Sequence, residues 1–274
     1  MPRIAIFQSR SGIDPAANAA ALVDAIERAA EGEAEMLFTP EMSGLLDGDR
    51  ERAAGVVQRE EVDAVLAAVR EAAGASAIWV HLGSLALRGE SDKLVNRGFV
   101  IDPTGEIVGR YDKMHLFDVD LPTGESWRES SSYQAGEGPV VVRGTPVGSL
   151  GLTICYDLRF PAIFERLSEA GADLIAVPAA FTVPTGVAHW HVLLRARAIE
   201  AGLFVVAAAQ SGQHEDGRAT FGHSLVVDPW GDVLVEGGEG EKLLFAEIVL
   251  ERITEVRSRI PVLSHRRAIG PVSD

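Results

Sequence analysis

The sequence predicts an α/β fold with mixed sheets, on three observations. Buried-strand patterns alternate with helical patterns along most of the chain, which indicates layers of helix and sheet. Two pairs of strand patterns are joined by tight-turn signals, Pro103-Thr104-Gly105 and Pro229-Trp230-Gly231-Asp232, so part of each sheet is antiparallel. The series strand, helix, strand, helix, hairpin runs once and then again, with no linker, low-complexity run or charge block between the halves. Residues 1–274 are therefore read as one domain, with an irregular tail over about 260–274.

The elements follow in order. Residues 3–8 read as a buried strand. Residues 15–30 are alanine-rich, with Leu22, Ile26 and Ala29 at helical spacing; Asp14 caps them and Pro15 takes the first helical position. Residues 36–39 form a strand ended by Pro40, and Glu41 opens a polar loop. A second helical pattern, 51–73, is broken near Val57. Strands follow at 77–87, 94–102 and 106–112. Residues 114–139 show little periodicity; unstructured stretches of that length often line sites, and this one is the candidate lid. Strands at 140–142 and 147–154 lead to a helix opened by Pro161 and stopped by Gly171. A strand at 174–178, a helix at 189–201 stopped by Gly202, strands at 204–209, 223–228, 233–236 and 242–249, and a helix at 250–259 complete the series.

Composition narrows the function. The chain has 274 residues, 47% of them hydrophobic, and a formal net charge of −15. That charge argues against nucleic acid and anionic membrane as partners; an anionic substrate needs a local cluster of Arg or Lys. One cysteine excludes an intrachain disulfide and a cysteine-rich metal site. No run approaches the roughly 18 apolar residues of a membrane span, and the amino terminus has no signal-like segment. These features describe a soluble cytoplasmic protein.

The chemistry centres on residues 148–161, GSLGLTICYDLRFP. Cys155 stands where a buried strand ends and a polar turn begins. Backbone N–H groups and a helix dipole at such a turn favour a thiolate and an oxyanion. An inert core thiol is the alternative reading of these residues alone. Glu41 stands at a strand's carboxyl end, where α/β folds place functional groups. Lys113 continues the alternation Ile107, Gly109, Tyr111 and so falls on the apolar face of its strand, where a lysine needs a partner. Glu129 lies in the long loop beside Trp127 and Tyr133. The seven histidines have no metal-ligand spacing, and no GxSxG, Walker or GxGxxG motif is present, so no metal and no cofactor are expected.

Together these segments resemble a known family. FTPEM at 38–42, YDKMHLFDVD at 111–120 and TICYDLRFP at 153–161 are similar to the three signature segments of the nitrilase (carbon–nitrogen hydrolase) superfamily. PTGVAHWHVLLRARAIE at 184–200 and FGHSLVVDPWGDV at 221–233 resemble its Nit branch. The resemblance implies a four-layer αββα sandwich with two mixed sheets. It implies Cys155 as nucleophile, Glu41 as general base raised in pKa by burial, Lys113 as the third member of the triad and Glu129 as a second glutamate beside it. It also implies a small amide substrate, water as co-substrate, a thioester intermediate, ammonia release, and a homodimer or higher homo-oligomer. The backbone N–H of Tyr156 and Lys113 would hold the oxyanion. Segments 178–190 and 207–224 look closer to amidases of deaminated glutathione than to omega-amidases of 2-oxoglutaramate. Phe181 and Thr182, in the first of these segments, are candidate substrate contacts. Arg159 is a candidate for a substrate carboxylate, or else for an ion pair with Asp157 or Asp173. A Cys–His hydrolase and a non-catalytic scaffold are the competing classes.

Overall fold

The computed structural model describes residues 1–120, 124, 126–270 and 272. Its first half contains β1 (Arg3–Gln8), α1 (Pro15–Glu31), β2 (Met36–Phe38), α2 (Arg50–Val56), α3 (Ala64–Ser76), β3 (Trp79–Arg88), β4 (Leu94–Ile101), β5 (Ile107–Asp112), β6 (Asp118–Asp120) and β7 (Ser126–Arg128). There follow β8 (Val140–Thr145), β9 (Gly148–Leu152), α4 (Pro161–Glu169), β10 (Leu174–Ala176), α5 (Val183–Ala201), β11 (Phe204–Ala207), β12 (Ser211–Gln213) and β13 (Ala219–Phe221). The chain closes with β14 (Leu225–Val227), β15 (Val233–Glu236), β16 (Lys242–Glu247), α6 (Glu251–Arg259) and α7 (Val262–His265).

Two six-stranded sheets carry the fold, in the orders β16-β1-β2-β3-β4-β5 and β15-β14-β11-β10-β9-β8. The central strands of each are parallel, β1-β2-β3 and β9-β10-β11, and the outer pairings are antiparallel. Strand periodicity sorts side chains to two faces. In β1, Ile4 and Ile6 join the core with the second sheet, while Ala5 and Phe7 join the cluster with Leu22 and Ile26 of α1 and Val69 of α3. Strands covered on both faces read as continuous apolar runs, which is why these look buried in sequence. On the far side α4 and α5 cover the second sheet through Phe164, Leu167, Trp190 and Leu194. Each such buried large side chain contributes about 1.5–3 kcal/mol. The result is the expected αββα sandwich with two mixed sheets. Among the described residues no helix is long and apolar enough to cross a membrane.

Several boundaries differ from the sequence reading. The break near Val57 separates α2 from α3, as expected. Residues 114–139 are not featureless: β6 and β7 pair as an antiparallel ribbon, followed by a 3-10 turn at Glu129–Ser131. Residues 121–123 and 125 of that stretch lie outside the described residues, as do 271, 273 and 274 of the tail. The tail also contains α7. Helix α5 starts at Val183 rather than 189, because Pro184 sits in its first turn, where a missing N–H costs nothing. Gly186 in that turn lets the helix approach Phe221, whose ring an added Cβ would strike. The ribbon β12–β13 escaped notice because its strands are three residues each.

The sheets meet at the carboxyl ends of their parallel strands, where Gln210 spans them. Its Oε1 accepts from the Ser11 N–H at 2.9 Å, and its Nε2 donates to Ser11 Oγ at 2.7 Å and to the Glu41 carbonyl at 3.0 Å. A bulge in β3 holds the loop after β2 from the other side. There Ser84 N donates to the Pro40 carbonyl at 3.2 Å, Ser84 Oγ accepts from Met42 N at 3.0 Å, and Gly83 N donates to Thr39 Oγ1 at 3.0 Å. An added Cβ at Gly83 would collide with the carbonyl oxygens of Thr39 and Pro40. Gly83→Ala is therefore expected to cost about 1–3 kcal/mol through overpacking, read as a lower midpoint in urea unfolding with unchanged slope.

Candidate active site

Glu41, Lys113 and Cys155 arrive from three strand ends and meet. Glu41 follows β2, Cys155 follows β9, and Lys113 is the residue after β5. The first two are the carboxyl ends of parallel strands, where an α/β crevice forms. Lys113 and Glu41 are 3% and 4% exposed, so their charges have to be met within the protein. Lys113 Nζ donates to Glu41 Oε1 at 2.9 Å and to both oxygens of Glu129 at 3.1 and 2.9 Å. Glu129 Oε2 also accepts the Phe117 N–H at 2.6 Å. Glu41 Oε1 accepts from Asn96 Nδ2 at 2.9 Å, and its Oε2 accepts the Ala180 N–H at 3.0 Å. The Cys155 thiol lies beside the same carboxylate, and each shifts the pKa of the other. The structure thus brings all four sequence-predicted residues into one buried cluster.

Two expectations about protonation are corrected. Burial does push Glu41 up, but the Lys113 charge and the hydrogen bonds from Lys113, Cys155 and Asn96 outweigh it, and the carboxyl ends below its ordinary range. Cys155 goes the other way. Burial, reinforced by the Glu41 charge, raises its thiol well above the usual value, against the opposing pull of Lys113 and the Ala180 N–H. Burial would lower Lys113, but the charges of Glu129 and Glu41 raise it well above its ordinary value. The resting site holds a thiol, a carboxylate and an ammonium, not the thiolate that the strand-to-turn position suggested.

The turn that carries Cys155 is held by Asp157. Cys155 has φ +47°, a left-handed conformation that costs energy for a residue with a side chain. Fully buried Asp157 accepts from Ile154 N at 2.8 Å and from the Tyr111 hydroxyl at 2.7 Å through Oδ2. Its Oδ1 accepts from His115 N at 3.0 Å and contacts His115 Nδ1 at 2.7 Å. Cys155 N donates to the Pro178 carbonyl at 2.8 Å. The Tyr156 N–H lies in the first turn of the 3-10 segment Cys155–Arg159, where no preceding carbonyl of the turn reaches it.

A cleft of about 900 Å3 opens above the cluster. Tyr156, Arg159, Phe181 and Thr182 all line it, as do Trp127 and Tyr133 from the stretch read as a lid. Arg159 lies 5.3 Å from the Phe181 ring centre and 3.2 Å from His189 Nδ1. Among the described residues it pairs with no carboxylate, so the ion pair with Asp157 or Asp173 does not form; Asp157 is committed to Tyr111 and His115. Arg50, Arg88, Lys93, Arg128 and Arg218 also line the cleft. The chain's negative charge is therefore reversed locally.

Asn96, Asp157 and the Ala180 N–H were not singled out from sequence. Asn96 was within reach: Leu94, Asn96, Gly98 and Val100 share one face of β4, and a polar residue on a buried face carries the same signal that exposed Lys113. The Ala180 N–H carries no sequence signal, because any residue there supplies it.

The carbon–nitrogen hydrolase family profile matches residues 3–258. The Caenorhabditis elegans nitrilase and fragile histidine triad fusion protein NitFhit is 40% identical over 97% of this chain. This chain spans 60% of that protein's length. The crystal structure of NitFhit superimposes with a TM-score of 0.89, covering 97% of this chain and 65% of that one. The deaminated glutathione amidase of Yersinia enterocolitica is 38% identical, with 97% of this chain and 93% of that protein covered. A solved structure of a variant amidase from Nesterenkonia sp. AN1, 28% identical with a TM-score of 0.78 over 95% of this chain and 98% of that one, shows acrylamide added at its active-site cysteine. Profile, relatives and sandwich agree: the chain belongs to the carbon–nitrogen hydrolase family.

Proposed function

We propose that the protein is an amidase that hydrolyses the amide bond of an anionic α-keto acid, with deaminated glutathione as its substrate, cleaved to 2-oxoglutarate and cysteinylglycine. The observation that carries the chemistry is one carboxylate, Glu41, hydrogen-bonded to a buried ammonium and set beside the only thiol, each shifting the pKa of the other. An amide carbon is a weak electrophile, so a sulfur nucleophile divides the reaction into two easier steps. Glu41 takes the Cys155 proton as Sγ attacks the carbonyl carbon. The oxyanion accepts from Lys113 Nζ and the Tyr156 N–H, each such donor being worth roughly 3 kcal/mol. Protonated Glu41 then gives its proton to the departing nitrogen, the amine leaves (cysteinylglycine from deaminated glutathione), and a thioester remains. Water attacks the thioester as Glu41 removes its proton. Collapse releases the acid, and Glu41 returns the proton to sulfur. A base held below its ordinary pKa stays ionised at neutral pH and is ready to accept. Glu129 neutralises and orients Lys113.

The substrate assignment is supported by the similarity to deaminated glutathione amidases, by the cleft's size and by its cations. A guanidinium suits a carboxylate bidentately, and Arg159, four residues after the nucleophile, is the cation we assign to it. Phe181 and Thr182 form the adjoining wall. We further propose that residues 1–274 act as one carbon–nitrogen hydrolase domain in the cytoplasm, as a homodimer or higher homo-oligomer. Exposed Val187 and Val192 on α5 support the self-association.

The test is 2-oxoglutarate formation from deaminated glutathione and 2-oxoglutaramate side by side, with Cys155→Ala as the blank. A preference of tenfold or more in kcat/KM for deaminated glutathione, about 1.4 kcal/mol, is expected; the reverse preference makes the protein an omega-amidase. Cys155→Ala is expected to abolish turnover while keeping its unfolding midpoint, and residual turnover in a folded variant refutes the mechanism. Asn96→Ala removes a hydrogen bond to the Glu41 carboxylate and so raises that pKa. The acid limb of kcat/KM, which lies below the ordinary glutamate range in the parent, is expected to move to higher pH. The linked stability has the same sign: Glu41 stabilises the fold above its unfolded pKa, and that contribution fades as pH falls through the lowered folded value. Arg159→Lys loses the bidentate fork and is expected to raise KM for the anionic substrate by about tenfold with kcat little changed; an unchanged KM removes Arg159 from substrate binding.

A further inference from the structure

Outside the cleft, α5 and the flanks of β14 and β15 bring two imidazoles and a carboxylate together. His191 Nε2 lies 2.9 Å from Glu236 Oε1, and His223 Nδ1 lies 2.6 Å from the same atom. One ligand atom from each of the three residues falls within 4.8 Å of the others. None of the three lines the cleft. Their separations of 13 and 45 positions from Glu236 match no linear metal motif, so the sequence gives no sign of the cluster.

The arrangement is supported from behind. Trp190, fully buried, donates its Nε1–H to the His223 carbonyl at 2.8 Å and so ties α5 to this backbone. His223 is held at φ +54°, and its N–H donates to the Gly238 carbonyl at 2.7 Å. Its ring stacks on Phe221 at 4.2 Å, and the His191 ring meets Phe221 edge-on at 6.2 Å. Glu236 is placed by its register opposite Leu225. Hydrogen bonds from His223 and His191 hold the Glu236 carboxyl below its ordinary range, so it is anionic at neutral pH.

We propose that His191 Nε2, His223 Nδ1 and the Glu236 carboxylate form a site for a divalent transition metal of the Zn2+ type, with water as fourth ligand. Two imidazoles and a carboxylate are a donor set that zinc accepts. Tetrahedral ligand atoms at zinc stand about 3.3 Å apart, so the present contacts need open by well under 1 Å. A neutral histidine coordinates by moving its proton to the outer ring nitrogen, and a protonated one releases a proton as the metal enters. The net charge of −15 favours cation capture. The site clamps α5 to the edge of the second sheet and is independent of the amidase reading.

Titration with Co2+ tests this, on protein made without a histidine tag and in a Cys155→Ser background that removes the thiol as a competing ligand. One cobalt per chain with tetrahedral ligand-field absorption, displaced by Zn2+, is expected. Folded His223→Ala and Glu236→Gln are each expected to raise Kd at least tenfold, whereas His265→Ala changes nothing. Absence of a cobalt spectrum at millimolar metal, or binding unchanged in both site variants, overturns the proposal.

Discussion

The buried ammonium of Lys113 is the interaction on which the rest of the site depends. Two carboxylates face it, and its charge is the largest influence that holds the Glu41 carboxyl below its ordinary range against burial. The cluster of Glu41, Lys113 and Glu129 carries one net negative charge. Ionising Cys155 as well would add a second, and the Glu41 charge accordingly reinforces burial in raising the thiol pKa. In the proposed reaction, charge moves to sulfur only as bonding to carbon begins, and the oxyanion that forms lies against the same ammonium. The proton of that reaction would travel between neighbouring groups, with little reorganisation at the moment of reaction.

A second constraint is mechanical. Cys155 occupies a left-handed backbone conformation that it would not adopt on its own. Asp157 secures this by accepting from the peptide before the nucleophile, from a tyrosine of the first sheet and from His115. The strained residue is therefore over-determined by partners from both halves of the fold, a common arrangement where a side chain has to be presented rather than packed.

Much of this was legible in the sequence, for identifiable reasons. Strands buried on both faces produce apolar runs, and Asp14, Gly171 and Gly202 mark helix ends by capping chemistry, so the layers could be read. Lys113 stood out because period-2 alternation places a charge where only a paired one survives. Pro184 and Gly186 misled the reading of α5, since residues that break a helix interior are tolerated in its first turn. The protonation pattern was not legible, because it depends on which carboxylate neighbours which ammonium across the sheets. For the same reason the meeting of His191, His223 and Glu236 was not legible.

Gln210 fastens the Ser11 backbone and the loop of Glu41 to the strand end of the second sheet. Glu41 and Lys113 belong to one sheet, and Cys155 and the Ala180 N–H belong to the other. The active constellation exists only while the two sheets keep their mutual register. The proposed reaction is in this sense a vernier on the sandwich: a slip too small to expose the core already separates Glu41 from Cys155. Under the proposed mechanism, substitutions at the seam silence the protein while leaving it folded.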